Sequence, residues 1–481
     1  MHFLTNLLAA QIDPIGTDGA YLAVIPEEID WYPLKTPDYL LSPVLVIIIL
    51  LIGYSHQKKK IQENPAYKYY LSGLAAKIFS AIAFILVFKF YYSGGDTLDY
   101  LMGSIATSKV MVKNFSFYLS ILFNTTDWMT QIWFFFDPQT GYPEQYMWRG
   151  DETRFVIAIS TIPCTLGLRS FIPTTILVAA FSYLGVWKLY LFFTDFFPHL
   201  QKQMAIAVLF FPSLLFWGSG VMKDTYTFAA AGWVVYNIYM IFFKKQKIPI
   251  NILLALFNII IILSIKPYIF VALFPGIVVW GLFERVKRIK SKVLAGLAMP
   301  VMIIAGFGIT MVVFSSLESS MGTYGNLDSS IQKAQSVQQD LSRTEQYGEN
   351  SYNIGTIDGT TSGMLKVAPA AIIAGMFRPF LWEAKNPVML ISGLENFILL
   401  TLTLYLLFKL KFFRFFQYLF SDPILLFSIL FTIFFMFAVG MATANFGALV
   451  RYKIPALPFL VASVFIMLDK YKVYKKEQEA E

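Results

Sequence analysis

The chain has 481 residues, of which 57% are hydrophobic, 17% are aromatic and only 14% are charged. Ordinary soluble domains carry roughly 25% charged residues, so this composition excludes that class. Several apolar runs reach the roughly 17 to 25 residues that a helix needs to cross a bilayer. The sequence therefore predicts an all-α, polytopic transmembrane helical bundle. The net charge of +8 does not indicate a nucleic-acid partner, because Lys and Arg fall in short blocks beside apolar runs.

The low counts of cysteine and histidine limit the kinds of site that the chain can contain. The single cysteine, Cys164, excludes an internal disulfide, and three scattered histidines argue against a histidine-rich metal site. Residues 3–10 form a short apolar run with no preceding basic residue, so we expect no cleavable signal peptide and membrane anchoring by the first helix.

Five basic blocks set the expected orientation. They lie at residues 58–60, 244–247, 285–292, 409–414 and 470–476. If all five are cytoplasmic, the acidic segment with Glu27, Glu28 and Asp30 lies outside and the C-terminus inside. We expect a single integral domain in a bacterial inner membrane with about eleven spans. The expected spans cover residues 39–55, 73–92, 172–193, 204–220, 225–243, 250–266, 269–283, 293–315, 388–408, 422–442 and 453–469.

One apolar segment, residues 155–168, does not fit this count. The crossings between the basic blocks at 58–60 and 244–247 must be even in number, and this segment would make them five. It is short, contains Pro163 and has charged flanks, which favours a re-entrant or interfacial helix. The alternative is that residues 204–220, broken by Pro212, fail to cross.

Two long regions are expected outside. Residues 93–153 mix aromatic, apolar and charged positions, which predicts amphipathic interfacial helices in a first periplasmic loop. Residues 316–387 form the second loop, and the stretch 316–366 is rich in Ser, Gln, Gly, Thr and Asn, which indicates a flexible loop that orders around a ligand.

Charged residues collect at the expected outer ends of the spans. A charge at the centre of a membrane helix costs at least roughly 2.5 to 3.5 kcal/mol, so such clustering is informative. The candidate catalytic residues are Asp96, Asp99 and Asp224, and the candidate substrate-binding residues are Lys223, Lys266, Arg378, Glu383, Glu395, Arg451 and Lys453.

Five of these charges also have a structural interpretation. Asp96 and Asp99 suit a helix end in a Gly-Gly turn. Lys223 and Asp224 suit a neutralising pair in which the aspartate also N-caps a helix, and Lys266 suits a side chain that snorkels to the interface.

The remaining charges favour a function more strongly. Glu395 lies inside a span, where a lone carboxylate is costly. Arg451 and Lys453 lie outside, against the usual cytoplasmic bias, and phosphate binding would explain them. Arg378 shares that logic, although a lipid-headgroup contact would also explain it.

Carboxylates and cations on one side of a membrane suit glycosyl transfer from a polyprenyl-phosphate donor. An Asp or Glu deprotonates the acceptor hydroxyl, while Arg and Lys neutralise the leaving phosphate. The partners would be a lipid-linked sugar donor, a glycan or lipid acceptor and membrane lipids. A divalent cation such as magnesium or manganese is compatible with these residues, but no ligand spacing requires one.

Four sequence features resemble the GT-C superfamily of polytopic glycosyltransferases, especially bacterial members of polysaccharide pathways. They are SGGDTLDY, FFPSLLFWGSGVMKD, the KPY after the sixth span, and RPFLWEAKNP with RYKIPALP, which together span most of residues 90–460. The resemblance implies that Asp96 is the first-loop aspartate that acts as base or metal-site residue, and that Asp224 is the second acidic position. Many members carry Asp-Glu in the first loop. Here Thr97 follows Asp96, which leaves Asp99 as the candidate second carboxylate.

Three other functions fit the pattern. An O-antigen or exopolysaccharide polymerase-like protein would depend mainly on its external arginines. A lipid-linked glycan transporter would place its site at the midplane among broken helices and repeats, and neither feature is evident. A structural anchor of an envelope complex would require about ten charges to share one side of the membrane through topology alone.

Overall fold

The computed structural model describes residues 33–125, 136–142, 150–287, 292–316, 327–341, 351–355 and 361–480. The acidic N-terminal segment therefore lies outside the described residues. The described part is helical, and its one β-type pairing is an isolated bridge between Ser351 and Asn445. The helices are α1 Thr36–Lys60, α2 Tyr70–Phe90, α3 Asp96–Lys113, α4 Phe115–Phe123, α5 Asp151–Leu166, α6 Phe171–Phe196, α7 Gln201–Ala205, α8 Pro212–Trp217, α9 Lys223–Tyr239, α10 Ile248–Ile265, α11 Pro267–Lys287, α12 Lys292–Ser316, α13 Leu327–Leu341, α14 Thr361–Phe377, α15 Pro387–Leu410, α16 Phe412–Ser421, α17 Pro423–Ala442, α18 Phe446–Tyr452 and α19 Leu457–Ala480.

Seven described helical segments are long and apolar enough to cross a membrane, which confirms a helical, multi-pass membrane protein. They are Thr36–Lys60, Pro65–Phe90, Phe171–Phe196, Lys223–Lys244, Ile248–Ile265, Pro387–Leu410 and Pro423–Ala442. α18 and α19 together form a further apolar pair, bent by 70°. Three shorter apolar helices cover Pro267–Phe283, Pro300–Val313 and Ser362–Phe377.

Polar contacts identify the two ends of the helix bundle. The Asp38 carboxylate accepts hydrogen bonds from the backbone N–H groups of Lys35 and Ile172, both at 2.8 Å, so α1 and α6 begin side by side. At the opposite end, ion pairs link the end of α6 to the turn after α9, the turn after α6 to α19, and α19 to the start of α17. These pairs are Lys244–Asp195, His199–Asp469 and Lys470–Asp422. We call this the basic end, and the end where α6 and α9 begin the site end.

Both termini of α5 lie at the site end. Glu152 in its first turn is 3.6 Å from Lys223, where α9 begins. Gly167, which ends α5, packs against Thr174 in the first turn of α6. This geometry agrees with a segment that begins and ends at one end of the bundle, and its failure to cross a membrane stays a prediction.

α3 and α4 pack on α5, and α3 is largely buried. The hydroxyls of Ser104 and Tyr118 donate to the backbone oxygens of Ile157 and Ala158, at 3.1 and 3.2 Å. In the same region the Lys113 ammonium, with the Thr140 N–H, lowers the pKa of Asp137 to about 2. The described residues of the expected first loop are therefore an ordered helical layer. Its interfacial position in a membrane stays a prediction.

The expected span 204–220 is broken. α7 continues as a π-helical turn over Ile206–Phe210, the chain extends at Phe211, and α8 begins at Pro212. Proline lacks the N–H that would continue the hydrogen-bond ladder, which explains the break. The sequence analysis located the interruption correctly.

The interpretation of 316–366 as a loop is wrong for residues 327–341 and 361–366, which are helical, whereas residues 351–355 have no helical structure. α13 is a helix with polar composition, and α14 is apolar and packs on α17. Ala371 in α14 lies against Gly440, and Gly375 lies against Met436. Small residues permit this close approach. The pairing of α14 with α17 therefore depends on small side chains, and a hydropathy search for spans does not detect such a contact.

α6 and α9 also pack closely through glycines. A Cβ at Gly185 would collide with the backbone of Ala229, and a Cβ at Gly232 would collide with Gly185. We expect Gly185→Ala to lower the free energy of unfolding by about 1–3 kcal/mol, because the helices would have to move apart. Thermal unfolding of the purified protein in detergent measures this.

Gly308 in α12 is the matched control, because nothing lies within 4 Å of a Cβ built there. We expect Gly308→Ala to leave stability unchanged or raise it slightly, since Ala favours helix over Gly by up to about 1 kcal/mol. Equal melting temperatures for the two variants would contradict close α6–α9 packing.

Candidate functional site

A buried ion pair joins α9 to the junction of α10 and α11. Lys266 Nζ lies 2.5 Å from Asp224 Oδ1, with side-chain exposures of 6% and 1%. The ammonium also lies 4.2 Å from the centre of the Tyr452 ring. The other carboxylate oxygen of Asp224, Oδ2, is buried and has no hydrogen-bond partner in the described part of the chain. The pair excludes the snorkelling interpretation of Lys266.

A second ion pair joins α3 to α18. Arg451 Nη2 donates to Asp96 Oδ2 at 2.8 Å, across more than 350 residues of sequence. The side chains are 20% and 29% exposed, so this pair reaches solvent more than the first. Asp96 and Asp99 lie in the first turn of α3, after Gly94 and Gly95, where carboxylates complement the helix dipole.

Lys223 does not neutralise Asp224. Its ammonium donates to Thr153 Oγ1 at 3.0 Å and lies 3.6 Å from Glu152 Oε1. Asp224 is in the first turn of α9, but Met222 is the N-cap, which corrects the expected capping role. Neighbouring helix residues point in different directions, so the two side chains meet different partners.

The residues of the two ion pairs and Lys223 act on one another electrostatically. Lys266 experiences the charges of Asp96 and Arg451, and Lys223 experiences those of Asp96 and Lys266. We call Asp96, Lys223, Asp224, Lys266 and Arg451 the charged cluster. It draws on α3, α9, α10 and α18, which are distant in sequence.

Arg378 and Glu383 form a separate pair. Arg378 Nε lies 3.0 and 3.1 Å from the two carboxylate oxygens of Glu383, and Nη2 adds a further contact. The guanidinium also lies 4.7 Å from the centre of the Tyr352 ring and 5.4 Å from that of Phe446. Both charges are thus engaged within the protein, at the start of α18.

Glu395 caps the short helix α8. Its two carboxylate oxygens accept from the backbone N–H of Ser213, at 2.8 Å, and from the hydroxyl of Ser213. At the other end of α8, the buried Lys77 ammonium donates to the carbonyl oxygen of Gly218. Negative charge at a helix N-terminus and positive charge at its C-terminus both complement the helix dipole.

Lys453 and Asn396 satisfy backbone groups after α14. Lys453 Nζ donates to Asn396 Oδ1 at 2.6 Å and to the carbonyl of Arg378 at 3.3 Å. Asn396 Nδ2 donates to the carbonyl of Pro379 at 3.1 Å. Lys453 is 1% exposed, so its contacts are those of a buried structural residue and do not present it to a ligand.

A cavity of about 130 Å³ lies near the charged cluster. Its lining residues come from the end of α2, α8, α15 and α18. They are Tyr92, Trp217, Asn386, Val388, Met389, Ser392, Asn445, Gly447 and Val450. Val450 precedes Arg451, and Tyr92 experiences the charge of Arg451, so the cavity and the Asp96–Arg451 pair are neighbours.

The donor set does not fit a metal ion. Magnesium and manganese require several oxygen ligands, whereas the Asp96 carboxylate faces a guanidinium and Asp224 faces an ammonium. No group of three or more His, Cys, Asp or Glu in the described ranges could hold a metal.

The sequence analysis missed several residues of this region. They are Lys77, Glu152, Thr153, Ser213, Trp217, Asn386, Asn396, Asn445 and Tyr452. Lys77 had a usable signal, because the insertion cost that singled out Glu395 applies equally to a lysine inside the span 73–92. The polar partners had none, because Asn, Ser and Thr are common in helices whose side chains bond only their own turn.

Comparison with protein-family models, curated proteins and solved structures gives no match for this chain.

We expect Lys266→Met to lower the free energy of unfolding by about 3–5 kcal/mol, because it leaves the buried Asp224 carboxylate uncompensated. In the double variant Lys266→Met/Asp224→Asn we expect recovery of at least half of that loss, since no buried charge remains. Thermal unfolding of the four proteins of this double-mutant cycle measures the coupling. Additive losses would contradict a direct pair.

We expect Glu395→Ala to destabilise the protein by about 2–4 kcal/mol, because it removes both acceptors of Ser213 from the start of α8. Glu395→Gln keeps one acceptor oxygen and should lose less. Melting temperatures of the two variants decide this, and a Gln variant as unstable as the Ala variant would argue against capping.

Proposed function

We propose that the protein is a GT-C-type membrane glycosyltransferase that transfers a sugar from a polyprenyl-phosphate donor to a glycan or lipid acceptor at the periplasmic face of a bacterial inner membrane. One observation carries the proposal. Carboxylates and cations from four separate segments meet in the charged cluster, beside a cavity at the site end. Glycosyl transfer from a lipid phosphate needs both kinds of group at one place.

The chemistry assigns the exposed pair to the reaction. A donor phosphodiester that binds Arg451 competes with Asp96 for the guanidinium, which leaves the carboxylate for the acceptor hydroxyl. Asp96 then takes the hydroxyl proton as the acceptor oxygen bonds to the anomeric carbon. The bond from that carbon to the phosphate oxygen breaks, and its electron pair remains on the leaving polyprenyl phosphate.

Charge balance explains the need for several cations. Before transfer Asp96 and the phosphodiester each carry about one negative charge, and afterwards Asp96 is neutral and the phosphate approaches two. Negative charge therefore moves toward Arg451 during the reaction. Lys223 and Lys266 add positive charge nearby, and interactions that strengthen as charge develops are those that accelerate the step.

The other candidate residues take supporting roles in this proposal. Asp224 holds Lys266 in place, and Asp99 supports the negative first turn of α3. The Arg378–Glu383 pair supports the start of α18, while Glu395 and Lys453 hold broken backbone near the site. The proposed transfer reaction does not use a metal ion.

The proposed topology has about eleven crossings. They are the seven long helical segments, the bent pair α18–α19, the helices α11 and α12, and the broken segment 201–217. The basic end is cytoplasmic because it carries the blocks of lysine, and the N-terminus and site end are periplasmic. α14 and α5 enter from the site end without crossing.

Transfer is tested with purified protein in proteoliposomes and a panel of labelled polyprenyl phosphates that carry glucose, galactose, mannose or N-acetylglucosamine. We expect Asp96→Asn to lower kcat by about 10²–10⁴-fold, because the base is lost. Arg451→Lys should raise the KM for the donor at least tenfold, because the planar two-point contact with phosphate is lost.

Asp137→Asn is the matched control, because this aspartate also pairs with a cation on the layer of α3–α5 but lies outside the charged cluster. Full activity in Asp96→Asn would refute the assigned base. Loss of activity in arginine variants alone would favour a polymerase-like protein, and passage of labelled lipid across the bilayer without product would favour a transporter.

A further inference from the structure

The size of the cavity of about 130 Å³, the aromatic rings in its wall and the hydrogen-bond donors in its wall together indicate one class of ligand. One water needs at least roughly 10–15 Å³ of such space, so the cavity admits a group considerably larger than a single water. Its wall combines two aromatic rings, Tyr92 and Trp217, with aliphatic side chains and three polar residues.

The two asparagines of the wall have their acceptor oxygens engaged. Asn386 Oδ1 accepts from the N–H of Met389 at 2.9 Å and N-caps α15. Asn445 Oδ1 accepts from the N–H of Gly447 at 2.8 Å and N-caps α18. Capping fixes each carboxamide, so the NH₂ groups are the donors left for another partner.

Trp217 supplies a further donor. The residue is 6% exposed and lines the cavity, and its indole N–H can only donate a hydrogen bond. Trp217 packs edge-on against Phe84, Phe88 and Phe216, which holds the indole against the cavity.

Donor groups beside aromatic faces match a carbohydrate. Hydroxyl oxygens of a sugar accept from N–H groups, while its C–H faces pack against aromatic rings. An isoprenoid chain would leave all three N–H donors without partners, so the wall disfavours the tail of the lipid. The position is also suitable, because Val450 in the wall adjoins Arg451 and the chain reaches Asp96 four residues after Tyr92.

We infer that this cavity is the subsite for the donor hexose, with the sugar ring between Trp217 and Tyr92 and its hydroxyls on Asn386, Asn445 and Ser392. The inference rests on the proposed function, since it assumes that Arg451 holds the adjoining phosphate. It adds the residues that would select a sugar over a bare lipid phosphate.

The test compares two ligands on the full-length protein in nanodiscs. They are a short-chain polyprenyl phosphate and the same lipid carrying each hexose of the panel, with affinity measured by isothermal titration calorimetry. We expect at least one hexose to raise affinity tenfold or more. Trp217→Phe, which keeps an aromatic ring but removes the N–H, and Asn445→Ser, which keeps a capping oxygen, should each remove about fivefold or more of that gain. Both variants should bind the bare lipid within twofold of wild type.

Asn114→Ser and Trp382→Phe are the matched controls. Asn114 N-caps α4 and lies outside the cavity wall, and Trp382 is 74% exposed. Equal losses for both ligands in Trp217→Phe and Asn445→Ser would overturn the sugar subsite, as would a hexose that adds nothing to wild-type affinity. After either of these two outcomes, the proposed function would still be supported if binding of the bare lipid depended on Arg451. Absence of any lipid-phosphate binding would remove the proposed function and the subsite together.

Discussion

The six residues of α8, Pro212–Trp217, form a helix whose ends lie inside an apolar bundle. Helix ends expose backbone groups without partners, and in hydrocarbon each unsatisfied group costs several kcal/mol. The chain resolves this with two charged side chains of opposite sign, Glu395 at the N-terminus and Lys77 at the C-terminus. Because α8 also carries Trp217 to the cavity, the geometry of the cavity depends on these two contacts.

The same requirement accounts for other buried charges. The backbone after α14 leaves carbonyls without helical partners, and Lys453 and Asn396 bond two of them. Irregular backbone at membrane depth is tolerated where it is buried in protein or lines a cavity. The buried charged residues of this protein therefore fall into two kinds. Some hydrogen-bond backbone groups that broken helices leave without partners, and others face each other in ion pairs. Only the second kind is a candidate for catalysis.

The sequence predicted the helical membrane class and most long helices, because hydropathy depends on composition alone. It also identified charged residues that lie together in the structure, since a charge beside an apolar run is costly wherever it lies. It did not predict which charged residue pairs with which partner. Lys223 and Asp224 are adjacent in sequence but bond to α5 and to Lys266 instead. It also missed α14, although this segment is apolar, because the helix is shorter than a typical span. The contact of α14 with α17 depends on Gly375 and Gly440, and such packing between distant segments has no local sequence signal.

The two pairs of the charged cluster differ in how readily they can exchange partners. Asp224 and Lys266 are almost fully buried, so separating them would leave a desolvated charge, which costs about 3–5 kcal/mol. Asp96 and Arg451 are about a quarter exposed, and ion pairs that reach solvent contribute about 0–1 kcal/mol. In the proposed reaction a phosphate therefore displaces Asp96 from Arg451 at low cost while the buried pair keeps α9 and α10 in place. In that proposal, a fixed pair beside an exchangeable one lets the substrate rearrange charge at the site without disturbing the bundle.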